Sequence, residues 1–478
     1  MLRYLKADIQ TRFDLGIQES PNGEHPLPLL FLHTETKEGK RMMRNWITQP
    51  LSDIPAIQAR QEAIAWEGLP ALPMDEDELD FLEHYLEFRD QIPTKGVFYT
   101  LYNKISRLFK YDSTRYVITR GVKLCIRFFK QLEKLHKELP DNPPNLIQEW
   151  TDNIQSALQI EELKALAKIK EEEDFSDFQI DNYDYLFRHE QRSLIRDLLT
   201  GIYLLDVCRT ARFIAQERGY CCTPNLHETG GCDIQGFRHP FVKNAQKNDW
   251  RLTNGNIAIF TGSNMAGKST TLKAIVSSIW LAHCGLPVPA DALSCPVYDA
   301  IYTSINLPDS LRDGRSHFMA EVLRIKEVLT QARSGGRCLI ILDEMFRGTN
   351  AQDAYEASVA VNQLLLEYPN CHFLISTHIL EYAKHFEQHP SCQFYYMESE
   401  IKDDRFICSY RLKEGISEMK GLVVISSVSY GYLFVAFNKI TFRILQFIKE
   451  SIFHLFRSVL LTGIQTKALL SCRTGPIP

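Results

Sequence analysis

The chain has 478 residues, 45% of them hydrophobic and 24% charged, and a formal net charge of -5. That balance excludes a disordered or fibrous chain, and the length predicts about three domains at roughly 150 residues each. The negative sum excludes a uniformly basic coat for nucleic acid but leaves local basic faces open.

The opening "MLRYLKADIQ" has neither an apolar core nor a cleavage site, so no secretory signal is predicted. Residues 1–29 carry no clear pattern. Twelve cysteines include no C-x-x-C pair, and Cys221, Cys222, His227 and Cys232 fit no standard zinc spacing. Reduced thiols of a cytosolic protein are the better reading.

From Leu30 to about Arg212 the pattern is helical. "NLIQEWTDNIQSALQIEELKALAKIKEEE" places apolar residues three and four apart. Pro140, Pro143 and Pro144 predict a turn near residue 142. The acidic run "MDEDELDFLEHYLE" (74–87) reads as a solvated helix face. Between Lys104 and Lys137 stand ten basic and two acidic residues, with Tyr, Phe and Leu interleaved. Either a core-facing helix pair with a charged exterior or a phosphate-contacting face fits that bias.

From about Gly236 short β-rich runs, "NIAIFTG", "CLIILDE" and "HFLIST", alternate with helix-length segments. Alternation of that kind predicts a mostly parallel sheet with crossover helices. "GSNMAGKS" fits G-x-x-x-x-G-K-[ST] through Gly262, Gly267, Lys268 and Ser269, between a strand and a helix candidate. Such a loop turns backbone N–H groups inward as an anion cradle, and the helix N-terminus adds its dipole. The cradle comprises Gly262, Ser263, Asn264, Met265, Ala266, Gly267, Lys268, Ser269 and Thr270. Lys268 then supplies positive charge to β- and γ-phosphates, and Ser269 offers a hydroxyl to Mg2+. "CLIILDE" reads as a buried parallel strand ending in two carboxylates, where ligands sit in open α/β sheets. Asp343 would hold the metal through water, and Glu344 would orient or deprotonate the attacking water. His378, ending "HFLISTH", is placed to sense or polarise the γ-phosphate.

"TGSNMAGKSTTLKAI", "GLPVPADA", "DSLRDGRSHFMAEVLRIKEVL", "LIILDEMFRGTN" and "STH" resemble, in order and spacing, the MutS-type ATPases of DNA mismatch repair. The resemblance covers Gly236 to Phe386 and extends, more weakly, to "TETKEGKRMMRNWITQPLSDIPAIQARQEAI", "KISRL", "IYLLDVCRTARFIAQ" and "FRHPFV". It implies an α/β P-loop NTPase domain preceded by an all-α lever domain, with ATP and Mg2+ as cofactors. It further implies DNA as a partner, a homodimer, a cytoplasmic, nucleoid-associated location, and downstream repair proteins the sequence does not identify. Asn264 is then expected on the nucleotide and its magnesium network. Ser316 would reach the partner's γ-phosphate, Glu321 would close that segment, and Arg347, Gly348, Thr349 and Asn350 would couple two sites. Phe346 stands where the family has a small residue, and His317 where it has threonine.

The expected organisation is a lead (1–29), a helical core (30–235), the ATPase domain (236–420) and an apolar tail (421–478). Only 29 residues precede the core, too few for a mismatch-recognition domain, and Phe81 to Glu83 reads as a coincidental F-x-E. The tail holds one acidic residue, Glu450, where 59 in 478 predicts about seven, so a frame shift near Lys420 is expected. Two other functions compete. One is a membrane-associated transporter-type ATPase subunit anchored by the uncharged Gly421–Asn438 stretch. The other is an interaction module that binds ATP without hydrolysing it. No membrane association is expected on the leading reading.

Overall fold

A computed structural model describes residues 2–18, 27–89, 113–140, 142–169, 174–263, 266–305, 317–333, 336–402 and 405–417. One compact unit comprises Met1–Met397 with Tyr410–Ser417, and Glu398–Ser409 belongs to a second. In that second unit the Ser409 hydroxyl donates to the Glu398 carbonyl (3.1 Å) and carboxylate (3.0 Å).

The helical part starts where polar caps meet apolar stripes. Helices α2 (Lys37–Thr48), α3 (Ile54–Ala65) and α4 (Glu76–Glu87) are N-capped by Thr36, Asp53 and Asp75, whose side chains accept from the third residue on. After α5 (Ser113–Glu138) and α6 (Asn145–Gln159), separated by the prolines, come short α7 (Glu161–Lys164) and α8 (Asp177–Tyr185). A π-type turn, Leu186–Glu190, leads into α9 (Arg192–Arg218), which stops at Gly219 in the left-handed region (φ 60°).

This 27-residue helix α9 organises the rest. Its Asp206, 1% exposed, accepts from the Glu35 amide (2.9 Å), the Thr36 amide (2.8 Å) and the Thr36 hydroxyl (2.7 Å). A Cβ on Gly39 would lie 2.4 Å from that carboxylate, so the threonine and the glycine of "TETKEG" answer to one buried acid. Trp150 of α6 donates its indole N–H to the Leu198 carbonyl (2.9 Å) across Gly201, where a Cβ would come within 1.8 Å of the ring. Asp184 takes two bonds from Arg188 and one from the Tyr85 hydroxyl (2.8 Å). Phe81 lies on α4 under the Arg120 guanidinium (4.3 Å), and Glu83 accepts from the Tyr203 hydroxyl (2.9 Å).

Strands begin at Asn225, about ten residues before the pattern change near Gly236. A four-stranded sheet orders β1 (Asn225–His227), β5 (Ala292–Pro296), β2 (Cys232–Phe237) and β3 (Asn248–Leu252). The larger sheet runs β10 (Arg405–Glu414), β9 (Cys392–Lys402), β4 (Ile257–Thr261), β8 (His372–Thr377), β7 (Cys338–Asp343) and β6 (Ala300–Ser304). From β9 to β6 every pairing is parallel. Strands β4, β7 and β8 are buried at every position, which is why they read as unbroken apolar runs rather than alternating ones. Crossovers are α10 (Lys268–His283), α11 (His317–Ala332), α12 (Ala351–Leu365) and α13 (Leu380–His385).

The patternless N-terminal lead has a place in this sheet. Lys6 bridges Ala300, and α1 (Ile9–Asp14) offers Thr11 to the Thr303 amide (2.9 Å) and Asp14 to the Ile305 amide (3.0 Å). Its pairing partners lie almost 300 residues away, which hides the strand-edge role from any local pattern. Among the described residues no helix is long and apolar enough to cross a membrane. The Gly421–Asn438 stretch, with the remaining tail and "KISRL", lies outside the described residues.

Candidate functional site

The site assembles where β4, β7 and β8 end side by side, because parallel pairing brings all three C-termini to one edge. After Thr261 the chain turns through Gly262 (φ 149°) and re-enters helix at Gly267 (φ 97°), two conformations that favour glycine. Asn264 and Met265, between them, lie outside the described residues, as does Ser316. Ala266 is buried, and Thr270 is exposed.

Lys268 starts α10 with a side chain only 3% exposed. A buried ammonium must be paired. It donates to the Gly262 carbonyl (2.9 Å) and the Ser263 carbonyl (3.0 Å), and meets the Glu344 carboxylate at 3.0 Å. One residue on, the Ser269 hydroxyl donates to Asp343 Oδ2 (2.6 Å). The other Asp343 oxygen accepts from the Ser376 hydroxyl on β8. Arg347 closes the cluster, 3.2 Å from Asp343 and 3.1 Å from Glu344, so two cations balance two carboxylates. His378 sits at the rim, 47% exposed, with Nδ1 3.8 Å from Glu344 Oε2.

Burial pushes the Glu344 carboxyl up, but Lys268, Arg347 and His378 outweigh it and hold the group below the ordinary carboxylate value. Its backbone is left-handed (φ 47°), as is that of Phe346 (φ 64°), and each such non-glycine residue costs roughly 1–2 kcal/mol. The Glu344 amide is tied to the Ser376 carbonyl and hydroxyl, both at 3.1 Å.

Sequence reasoning named Lys268, Ser269, Asp343, Glu344 and His378, and these five are neighbours. Glu321 is buried on α11, away from the sheet edge in sequence but on the helix whose Phe318 ring meets Phe346 (5.4 Å). Asn350 caps α12 by accepting from the Asp353 amide (3.0 Å), with Thr349 beside it (3.4 Å to Asp353). Ser376 was missed as a site residue; its only signal was a hydroxyl ending an otherwise apolar strand. Also missed was a cavity of about 400 Å³ beside Gly267 and Thr270, whose walls include His239, Asn248, Met397 and Tyr410. Tyr410 is held in left-handed backbone (φ 56°), with its carbonyl accepting from Asn248 (3.0 Å).

A parallel sheet with a glycine-bounded loop, a buried lysine and an acid pair at its C-terminal edge defines an α/β domain with an ion-paired cluster at the ends of its central strands. Comparison with known sequences carries this further. The family model for MutS domain III matches residues 10–218, and that for MutS domain V matches residues 258–432. The chain belongs to the MutS family. The DNA mismatch repair protein MutS of Aquifex pyrophilus is 34% identical over 241 residues, 48% of this chain and 28% of that protein. That of Shouchella clausii is 33% identical over 197 residues, 40% of this chain and 22% of the relative. The match to the Natronomonas pharaonis protein is 29% over 230 residues, 47% and 26%. Each alignment thus spans about a quarter of the curated relative. The domain V match runs to residue 432, past Lys420, so family character extends twelve residues into the stretch the sequence reading set apart.

Proposed function

We propose that the chain is a Mg2+-dependent ATPase that acts on DNA in mismatch repair or a related repair or recombination process, as a homodimer whose ATP state moves the helical levers. The observation that carries the reading is the double contact at the sheet edge: Lys268 on Glu344 (3.0 Å) and Ser269 on Asp343 (2.6 Å). A hydroxyl and a carboxylate at hydrogen-bond distance are a hard-oxygen donor pair, which suits Mg2+. Magnesium, when bound there, neutralises phosphate charge.

This chain's own residues do the remainder. Lys268 exchanges its loop carbonyls and Glu344 for the β- and γ-phosphates. Backbone amides of residues 262–270, including Asn264 and Met265, cradle the phosphates. Freed from Lys268, Glu344 orients the attacking water and takes its proton, a task that suits a fixed carboxylate. Ser376 holds Asp343 in place, and His378 faces the γ-phosphate from the rim. The cavity beside Gly267 takes the nucleoside. Ser316 of one protomer and Glu321 serve the composite site of the dimer. DNA, repair partners and a nucleoid location follow from the family reading alone.

On α5 the basic bias favours structure. Arg115 pairs with Asp181 (3.0 Å), Arg127 with Glu78, and Lys137 with Glu133 (2.7 Å).

Hydrolysis of radiolabelled ATP with Mg2+ tests the chemistry. Glu344→Gln is expected to lower turnover by about a thousandfold while nucleotide still binds, and Lys268→Ala to abolish binding. Equal rates for Glu344→Gln and the unaltered chain would refute the role given to Glu344, and nucleotide binding without turnover in the unaltered chain would favour the non-hydrolysing module. Failure to retain adenine nucleotide with Mg2+ would overturn the whole reading. For DNA, duplex and branched substrates are titrated across salt; absence of binding at low ionic strength removes that partner.

A further inference from the structure

Glycine or asparagine takes left-handed backbone readily, and phenylalanine does not. Phe346 nevertheless holds φ 64° two residues after Glu344, itself at φ 47°. Glu344 is kept there by its amide bonds to Ser376. Phe346 is kept by packing: its side chain is 2% exposed, and its ring stands 5.4 Å from that of Phe318 at an interplanar angle of 42°. Phe318 is the second residue of α11, the helix that also carries Glu321. One ring pair therefore joins the turn that aims Glu344 to the start of a separate helix.

We propose that Phe346 is a positioning residue for Glu344: its contact with Phe318 holds the turn after β7, and makes the aim of Glu344 depend on where α11 begins. The inference rests on the ATPase reading above. A glycine at 346 would take the backbone conformation without strain, so the ring, not the backbone, is what the proposal requires.

Steady-state hydrolysis is measured for Phe346→Gly, Phe346→Leu, Phe318→Ala and the Phe318→Ala/Phe346→Gly pair, each checked for a cooperative thermal melt. Phe346→Gly is expected to lower kcat about tenfold and to leave KM for ATP within about twofold, because Lys268 and the phosphate loop are untouched. Phe346→Leu should recover most of the loss. The double variant should be no slower than either single one, and Phe346→Gly should add nothing to Glu344→Gln. Wild-type kcat in Phe346→Gly overturns the proposal, as does a loss shared equally by KM, or single effects that multiply. Should the unaltered chain turn over no ATP, the ATPase reading falls and takes this one with it. Turnover that ignores residue 346 sinks the positioning role alone.

Discussion

Two constellations of buried charge, one on α9 and one at the end of β7, are built to different rules. Asp206 is met by two backbone amides, donors that cannot leave while the chain is folded, and by the buried Thr36 hydroxyl. Asp343 and Glu344 are met by the tips of Lys268, Ser269, Arg347 and Ser376, each on its own rotatable stem. Arg347 is 44% exposed, and Glu344 holds backbone strain. A carboxylate answered by backbone is committed to the fold. One answered by side chains on rotatable stems can release them, as the proposed exchange for a nucleotide requires, and backbone strain is found at this second kind of site.

The sharpest break of this contrast is a pair of substitutions. Asp206→Ala leaves the buried Thr36 amide and hydroxyl, and the part-buried Glu35 amide, without their acceptor, and should cost about 3–4 kcal/mol of unfolding free energy. Glu344→Gln keeps the shape and an amide oxygen facing the buried Lys268 ammonium, which also retains its two loop carbonyls, and should cost about 1–2 kcal/mol while removing turnover. Urea denaturation of both reads the difference; a site variant less stable than Asp206→Ala would undo the distinction.

Acid titration sharpens it next. Burial holds His372 down to about 4, and His283 likewise to about 4. A depressed histidine binds fewer protons folded than unfolded, so stability falls with pH from about 6.5 toward 4. The expected loss by pH 5 is about 2 kcal/mol per histidine. Glu344 is also depressed, but as an acid its contribution is present above the ordinary carboxylate value and lost only as pH falls through its folded value. The window between pH 6.5 and 5 therefore belongs to the structural histidines. His372→Gln should flatten the slope there, whereas Glu344→Gln should not; a slope unchanged in His372→Gln would count against the assignment.

How much of this was legible follows the same division. Strands β4, β7 and β8 announced themselves because burial on both faces demands unbroken apolar runs, and the loop between Gly262 and Ser269 because it needs glycines at fixed positions. Strand β2 did not: "CDIQGF" is short and alternates, burying one face, so the sheet begins before the composition shifts. Ser376 and Tyr410 matter through register and left-handed backbone, which arise only when distant strands pair. Likewise, the stretch holding Thr36 and Gly39 stood out in the sequence, but Asp206, the acid that both residues answer to, lies 170 residues from Thr36.

Exposed ion pairs make a third kind of charge, with the smallest expected effect. Arg127 on α5 meets Glu78 on α4 with its side chain half exposed. Water already solvates the guanidinium in the unfolded chain, and fixing a long side chain offsets most of the attraction. Arg127→Ala should therefore change stability by about 0.5 kcal/mol or less, falling further as salt is raised. The same substitution separates the two readings of the basic helix. If α5 faces DNA phosphates, losing Arg127 lowers the slope of log affinity against log salt by about one contact. If the charge serves only to pair with α4, the slope is unchanged, because no counterion release depended on it. Salt titration of binding by Arg127→Ala, beside its melting curve, assigns this face to DNA or to the fold.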